Sequence, residues 1–116
     1  MAKKCLLFAY GVLKPGFSPP KTVSESWEDR VQGDLVDLGS YPGACRIGDS
    51  NNWIQGITLE IDEDELAVLD EFEDVDSGEY RRILVETEQG FYAFIYEFLG
   101  ALPPDAPRLT CWPAVT

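Results

Sequence analysis

The stretch CLLFAYGVLKPG, Cys5 to Gly16, joins a continuous apolar run to a turn sequence. An apolar run ended by turn residues is typical of a strand buried on both faces, which we predict over Lys3–Tyr10. Glycine in the loop that follows permits close backbone approach, and successive N–H groups of such a turn can bind an anion or a polarised carbonyl oxygen. The stretch therefore predicts a buried strand leading into a candidate binding loop, with an ordinary strand-to-loop turn as the alternative.

The composition excludes several classes of function. A chain of 116 residues can bury one core, so we expect a single domain over residues 1–116. Its formal net charge of −12 argues against nucleic acid and anionic membrane as partners. Because the sequence contains no histidine, Ser-His-Asp and Cys-His mechanisms are excluded and the commonest metal ligand is missing. Small molecules and other proteins remain as partners.

The cysteines and the apolar segments bear on metal sites and on the compartment. Cys5, Cys45 and Cys111 form no Cys-x-x-Cys motif, which argues against a disulfide framework and a thiolate zinc site, and we interpret them as reduced and mostly buried. The start of the sequence superficially resembles a signal peptide, but its apolar stretch is short and Lys14-Pro15-Gly16 follows where a small-residue cleavage site should lie. A first β-strand is therefore the better interpretation. No apolar segment approaches the roughly 20 residues that span a bilayer. We expect a cytoplasmic protein with no metal, no cofactor and no membrane contact, of open oligomeric state.

The remaining pattern predicts further strands, turns and an extended tail. Strands are predicted over Val31–Val36, Trp53–Ile61 with one wet face, Arg82–Thr87 and Phe91–Phe98, and turns at Tyr41–Gly43, Asp49–Asn52 and Glu88–Gly90. The proline-rich tail, residues 99–116, should wrap the domain in extended form. Several strands with one helix indicate an α+β fold or a small barrel.

The only convincing helix lies in a segment dense in acidic residues, Asp62–Glu79. Asp62 fits an N-cap, and Glu65 follows three residues later, as in a capping box. Acidic residues crowd the first turn of this helix, where the helix dipole favours negative charge. Most of these carboxylates are expected to form a solvated face.

Glu73 differs from the other carboxylates of this segment. At about 100° per residue it falls between Leu66 and Leu69, inside the apolar arc of the helix. Burial would raise its pKa and make it a candidate general base in a protein without histidine. Two alternatives stay open: Glu73 pairs with Arg81 or Arg82 in a buried salt bridge, or the helix ends before Glu73 and the projection does not apply.

Two sequence motifs, taken together, resemble a known family. Tyr-Gly-Val-Leu-Lys-Pro-Gly (Tyr10–Gly16) and Leu-Asp-Glu-Phe-Glu-Asp (Leu69–Asp74), the latter followed by Tyr80–Arg82, are similar to motifs of the gamma-glutamylcyclotransferase-like family. The resemblance extends from Phe8 to about Phe98 in matching order. It implies a small mixed β-barrel with flanking helices, classed as α+β, and release of 5-oxoproline from γ-glutamyl compounds.

The resemblance also implies roles for particular residues. The catalytic glutamate of the family corresponds to Glu73, which the helical projection selects as well. The implied substrate-binding residues are Tyr10, Gly11, Val12 and Leu13 in the loop, and the tyrosines Tyr80 and Tyr96. The sequence departs from the family pattern at Val12, where threonine or serine is usual, and at Asp74, where glycine is usual.

A γ-glutamyl amide carries its own nucleophile, because its α-amine can attack its γ-carbonyl and close a lactam. The hypothesis is therefore an enzyme that positions a small γ-glutamyl substrate, with Glu73 as general acid and base and loop N–H groups at the developing oxyanion. Two alternatives are a non-catalytic module that binds a γ-glutamyl or amino-acid ligand, and an acidic domain whose 62–79 face docks a basic protein. The leaving amine is not identified by the sequence.

Overall fold

The computed structural model describes residues 3–113 of the chain. An eight-stranded mixed sheet curls into a half-barrel, in the strand order β2-β5-β1-β7-β4-β3-β8, with β6 paired to β7. The strands are β1 Lys4–Ala9, β2 Glu25–Gln32, β3 Asp34–Asp37, β4 Pro42–Cys45, β5 Trp53–Asp62, β6 Tyr80–Glu86, β7 Tyr92–Phe98 and β8 Arg108–Leu109. Helix α1, Leu66–Phe72, lies between 3₁₀ turns at Glu63–Glu65 and Val75–Ser77. The predicted α+β class, with a mixed barrel-like sheet and flanking helical structure, is confirmed.

Strand β1 lies near the middle of the sheet, antiparallel to β5 and parallel to β7. Leu7 and Ala9 pack in the apolar cluster that includes residues of α1. Phe8 and Tyr10 pack in a second cluster, on the opposite face. All four side chains are buried, so the prediction of a strand covered on both faces is confirmed. The chain leaves β1 at Tyr10 and enters the loop over residues 11–20.

The strand predicted over 31–36 is in fact two strands, and the chain changes partners at Gly33 between them. β2 pairs with β5, whereas β3 pairs with β4 and β8. A Cβ at Gly33 would lie 2.9 Å from Ile47 Cδ1 and 3.0 Å from Ile54 Cδ1, so the close packing there suits glycine. No strand was predicted over residues 25–30, because the sequence there is charged, but these residues belong to β2.

Two further expectations about strands are wrong. Pro42 and Gly43, predicted in a turn, begin β4; the turn lies just before them, where the Leu38 N–H donates to the Tyr41 carbonyl at 3.0 Å. A proline can begin a strand because its missing N–H is not needed there. Thr58, expected on the wet face of β5, is fully buried, since it lies opposite Phe8 on the face that the second cluster covers.

The hairpin of β6 and β7 confirms the predicted pairing, with residues 87–91 as its connection. The tail packs against the sheet: β8 pairs with β3, and the Gln55 N–H donates to the Thr110 carbonyl at 2.8 Å. Only residues 108–109 of the tail form a strand, and a turn lies at residues 104–105. Residues 114–116 of the predicted tail lie outside the described residues. In residues 3–113, no helix is long and apolar enough to cross a membrane. Cys5, Cys45 and Cys111 are free and only partly buried.

Candidate active site

A cavity of about 420 Å³ opens beside the loop that follows β1. Its walls come from that loop, the turn before β4, the carboxyl end of α1, and strands β6 and β7. Every residue that the sequence analysis placed in the site lines this cavity: Tyr10, Gly11, Val12, Leu13, Glu73, Tyr80 and Tyr96. Residues separated by up to 86 positions in the chain are thus brought together at one end of the half-barrel.

The loop after β1 contributes backbone donors to the cavity. A Cβ at Gly11 would lie 2.9 Å from Pro42 Cγ, so glycine allows the loop to approach the start of β4. The carbonyls of Gly11 and Val12 accept hydrogen bonds from the N–H groups of Lys14 and Ser18. Within residues 3–113, the N–H groups of residues 11–13 form no hydrogen bond with another residue. A carbonyl oxygen or a carboxylate could therefore bind them.

The amino-terminal end of the helical segment differs from the predicted capping box. Asp62 makes no side-chain cap bond; it pairs instead with Lys4, which lies opposite in the β1–β5 register, at 2.6 Å. Glu65 accepts hydrogen bonds from the Lys21 N–H at 2.7 Å, the Thr22 N–H at 3.0 Å and the Thr22 hydroxyl at 2.6 Å. Both carboxylates are thus used by strands and loops distant in sequence, which the capping pattern could not indicate.

Helix α1 ends at Phe72, one residue before Glu73. The alternative that the helix ends before Glu73 is therefore correct about the boundary. Glu73 nevertheless continues the turn, because its N–H donates to the Leu69 carbonyl at 2.9 Å, and it lines the cavity. The buried face of α1 is narrow: Leu66 and Leu69 are buried, whereas Val68 is 63% exposed and Phe72 is 55% exposed.

The Glu73 carboxylate has no partner among the described residues, neither a hydrogen bond nor an ion pair. The predicted salt-bridge alternative is wrong, because Arg81 pairs with Glu97 at 2.6 Å and Arg82 pairs with Asp70 at 3.1 Å. Burial, with smaller contributions from the nearby charges of Glu79 and Asp74, raises the pKa of Glu73 from 4.5 to about 7. A carboxyl group with such a pKa can accept and return a proton near neutral pH.

Asp74 occupies the position after the candidate base with left-handed backbone angles, φ 53° and ψ 44°. Glycine adopts this conformation without steric cost, and aspartate is among the few other residues that tolerate it. The departure from the family pattern at Asp74 therefore preserves the turn. The Ser77 N–H and hydroxyl both donate to the Asp74 carbonyl, at 3.2 Å and 2.8 Å, and hold the turn in place.

Three tyrosines form the inner wall. Tyr10 donates its hydroxyl proton to the Tyr96 carbonyl at 2.5 Å, and Tyr80 donates to the Pro42 carbonyl at 3.0 Å. Tyr96 donates to Asp70 Oδ1 at 2.7 Å. Burial raises the pKa of all three hydroxyls above the ordinary tyrosine value, so they stay neutral at physiological pH.

Sequence reasoning missed three residues at this site. Asp70, expected to point to solvent or to the edge of the helix, instead joins Tyr96 to Arg82. The sequence analysis did not select Tyr41 and Glu79, which line the cavity and bond to each other, the Tyr41 hydroxyl donating to Glu79 Oε1 at 2.9 Å. The only local signal was that Glu79 precedes Tyr80. In residues 3–113, no group of three or more possible ligating side chains is arranged to hold a metal ion.

Solved structures share this fold. An AIG2-like protein from Mus musculus is 23% identical, with a TM-score of 0.72 over 94% of this chain and 88% of its own. Protein ytfP from Escherichia coli is 28% identical, with a TM-score of 0.66 over 93% of this chain and 96% of its own. A structure described as gamma-glutamyl cyclotransferase is 20% identical, with a TM-score of 0.65 over 92% of this chain and 72% of its own.

A search of curated proteins found no match to the sequence. A family model, described as gamma-glutamyl cyclotransferase, AIG2-like, matches residues 7–112. This range includes the loop after β1, Glu73 and the tyrosine wall. The match covers well over half of the chain and agrees with the resemblance of its two motifs. The chain therefore belongs to the gamma-glutamyl cyclotransferase, AIG2-like family.

Proposed function

We propose that this protein is a γ-glutamyl cyclotransferase, which converts a γ-glutamyl amide into 5-oxoproline and a free amine. The observation that carries the proposal is Glu73, a partly buried carboxylate that lines the same cavity as the loop N–H groups of residues 11–13, neither having a hydrogen-bond partner among residues 3–113. Its pKa of about 7 suits a group that must take up a proton and later release it. Family membership supports the same reaction class.

In this reaction the α-amine of the substrate attacks its own γ-carbonyl carbon, and the new C–N bond closes a five-membered ring. Glu73 removes a proton from the attacking amine, and the carbonyl oxygen gains negative charge. The N–H groups of residues 11–13 stabilise that oxyanion. Glu73 then returns the proton to the leaving nitrogen, and the original amide C–N bond breaks. Atoms and protons balance without water or an external group.

The size and lining of the cavity support a positioning role. A volume of about 420 Å³ lies within the range of small-molecule sites, and Tyr10, Tyr80 and Tyr96 supply apolar ring surface with polar tips. A γ-glutamyl chain must fold back on itself for its amine to reach its γ-carbonyl. Holding that folded conformer removes much of the entropic part of the barrier.

The test is 5-oxoproline release, followed by mass spectrometry, from a panel of γ-glutamyl amino acids, γ-glutamylamines and glutathione. Wild type is compared with Glu73→Gln and with the control Glu71→Gln, which removes an exposed carboxylate of α1 outside the cavity. We expect release by wild type and by Glu71→Gln, and its loss in folded Glu73→Gln. Activity that survives Glu73→Gln would remove Glu73 from the mechanism. Binding without release by wild type would favour a ligand-binding module.

A further inference from the structure

The charged groups on the cavity wall all have the same sign. Glu73, Asp74 and Glu79 line the cavity, whereas no lysine or arginine among the described residues does. Three basic residues lie next to wall residues in the sequence or one position further, and none lines the cavity. Lys14 donates to the Trp112 carbonyl, Arg81 pairs with Glu97, and Arg82 pairs with Asp70. A negatively charged group on a ligand would find no compensating side-chain cation here and would depend on backbone N–H groups such as those of residues 11–13.

The tyrosine hydroxyls do not change this polarity. A hydroxyl has one proton to donate, and Tyr10, Tyr80 and Tyr96 donate theirs to protein acceptors. Tyr41 donates its proton to Glu79. Apart from Ser40, which is exposed at the rim, the polar side chains of the wall therefore offer a ligand only acceptor oxygens or, at Glu73, an exchangeable proton. The N–H groups of residues 11–13 are backbone donors that can bind the γ-glutamyl part.

Glu79 lies at the outer part of the cavity. Its partner Tyr41 is 38% exposed, whereas Tyr10 and Tyr96 in the inner wall are buried. The backbone of Glu79 is held because its carbonyl accepts from the Leu99 N–H at 2.8 Å. The Tyr41 bond engages Glu79 Oε1 and leaves Oε2 without a partner among residues 3–113. The cavity wall thus carries a Glu79 carboxylate oxygen that is available to a ligand.

We propose that Glu79 selects substrates by the charge of the leaving amine, favouring γ-glutamyl amides whose leaving amine carries a second, cationic amino group. This inference rests on the proposed cyclotransferase function. The γ-glutamyl part occupies the inner cavity at Glu73 and the loop, so the leaving amine extends outward past Glu79. An ammonium group there is attracted by the carboxylate, and a carboxylate there is repelled. Leaving amines that are amino acids or peptides with a free carboxylate are disfavoured.

The test uses three γ-glutamyl amides of equal length, made with 1,4-diaminobutane, pentylamine and 5-aminopentanoate, which end in a positive, a neutral and a negative group. We expect kcat/KM for 5-oxoproline release to be about tenfold or more higher for the cationic than for the anionic amide at low ionic strength. Glu79→Gln should reduce this ratio at least about threefold. The matched control is Asp76→Asn, an exposed carboxylate of the same turn outside the cavity, and it should leave the ratio unchanged.

Equal turnover of the three amides by wild type, or a ratio that Glu79→Gln does not change, overturns the charge selection and leaves the cyclotransferase proposal intact. Calorimetric binding of the same amides separates the two proposals in the other direction. If no amide is converted but binding keeps the charge order and its dependence on Glu79, the selection holds and the cyclotransferase proposal fails. If the amides neither bind nor react, both proposals are overturned.

Discussion

One glutamate at each end of the short helical segment is shielded from solvent, Glu65 at the start and Glu73 at the end. The pKa of the first is lowered, and the pKa of the second is raised. Burial acts to raise the pKa of Glu65, but hydrogen bonds from Thr22 and Lys21 outweigh it, and the pKa is lowered. No such donor reaches Glu73 from the part of the chain that the structure describes, and burial is the main cause that raises its pKa to about 7. The supply of hydrogen bonds, more than burial itself, therefore separates a structural carboxylate from a candidate base.

The largest expected effect tests this difference through activity. Glu73→Gln should lower kcat/KM for 5-oxoproline release by about 10³-fold, because the amide cannot exchange the proton. Glu65→Gln should retain wild-type activity within a few-fold once the folded fraction is taken into account. Steady-state kinetics on the best substrate of the panel measures both. Comparable losses in the two variants would mean that the two carboxylates do not differ in function as their environments indicate.

The largest loss of stability is expected at Glu65. Glu65→Gln replaces one acceptor oxygen by an NH₂ group that faces backbone N–H donors, so at least one partly buried donor loses its partner. Because these donors are only partly buried, we expect the free energy of unfolding to fall by about 1 kcal/mol at pH 7. Urea denaturation followed by tryptophan fluorescence measures it. Glu71→Gln is the exposed control, and an equally small effect in both variants would contradict the structural role of Glu65.

The substitution Glu73→Gln should instead increase the free energy of unfolding above neutral pH. The folded pKa of about 7 lies above the unfolded value of 4.5, so the native state binds more protons between these pH values and loses stability as the pH rises through them. Glu73→Gln removes this cost and should raise the free energy of unfolding at pH 8 by about 2 kcal/mol, allowing for the partial exposure of the group. Below pH 4 the difference should vanish. Denaturation at both pH values checks the prediction, and a destabilised variant at pH 8 would refute it.

The smallest expected effect is on the pH dependence of the reaction. Because the base must be ionised, kcat/KM should rise with pH through an apparent pKa near 7. Glu79→Gln should move this limb to lower pH, since the Glu79 charge contributes to the raised pKa of Glu73. Asp76→Asn should not move it. A limb at ordinary glutamate values in wild type would indicate that Glu73 is better solvated than the cavity implies.

The sequence was sufficient for features that depend on neighbouring residues. The covered strand β1, the hairpin of β6 and β7, and the inward direction of Glu73 follow from local periodicity and turn composition. The projection selected Glu73 although α1 ends at Phe72, because one further residue keeps the helical turn.

Features that depend on long-range partners were not accessible in the same way. The capping box at Asp62 fails because Lys4 from β1 takes the carboxylate, and the strand break at Gly33 depends on side chains from two other segments. Tyr41 and Glu79 meet across 38 positions. A local sequence pattern cannot indicate contacts over such separations. Tyr41 and Glu79, in the outer part of the cavity, were therefore missed, whereas the residues of the inner wall were predicted.

The hydroxyl bonds of the inner wall also determine the thermodynamics of ligand binding. Tyr80 connects β6 to β4, Tyr96 connects β7 to α1, and Tyr10 connects the first loop to β7. Their rotamers are therefore restricted before a ligand arrives, and binding orders few protein side chains. Most of the conformational entropy lost on binding then belongs to the ligand, so a γ-glutamyl compound already constrained to its folded shape should gain affinity over a flexible one.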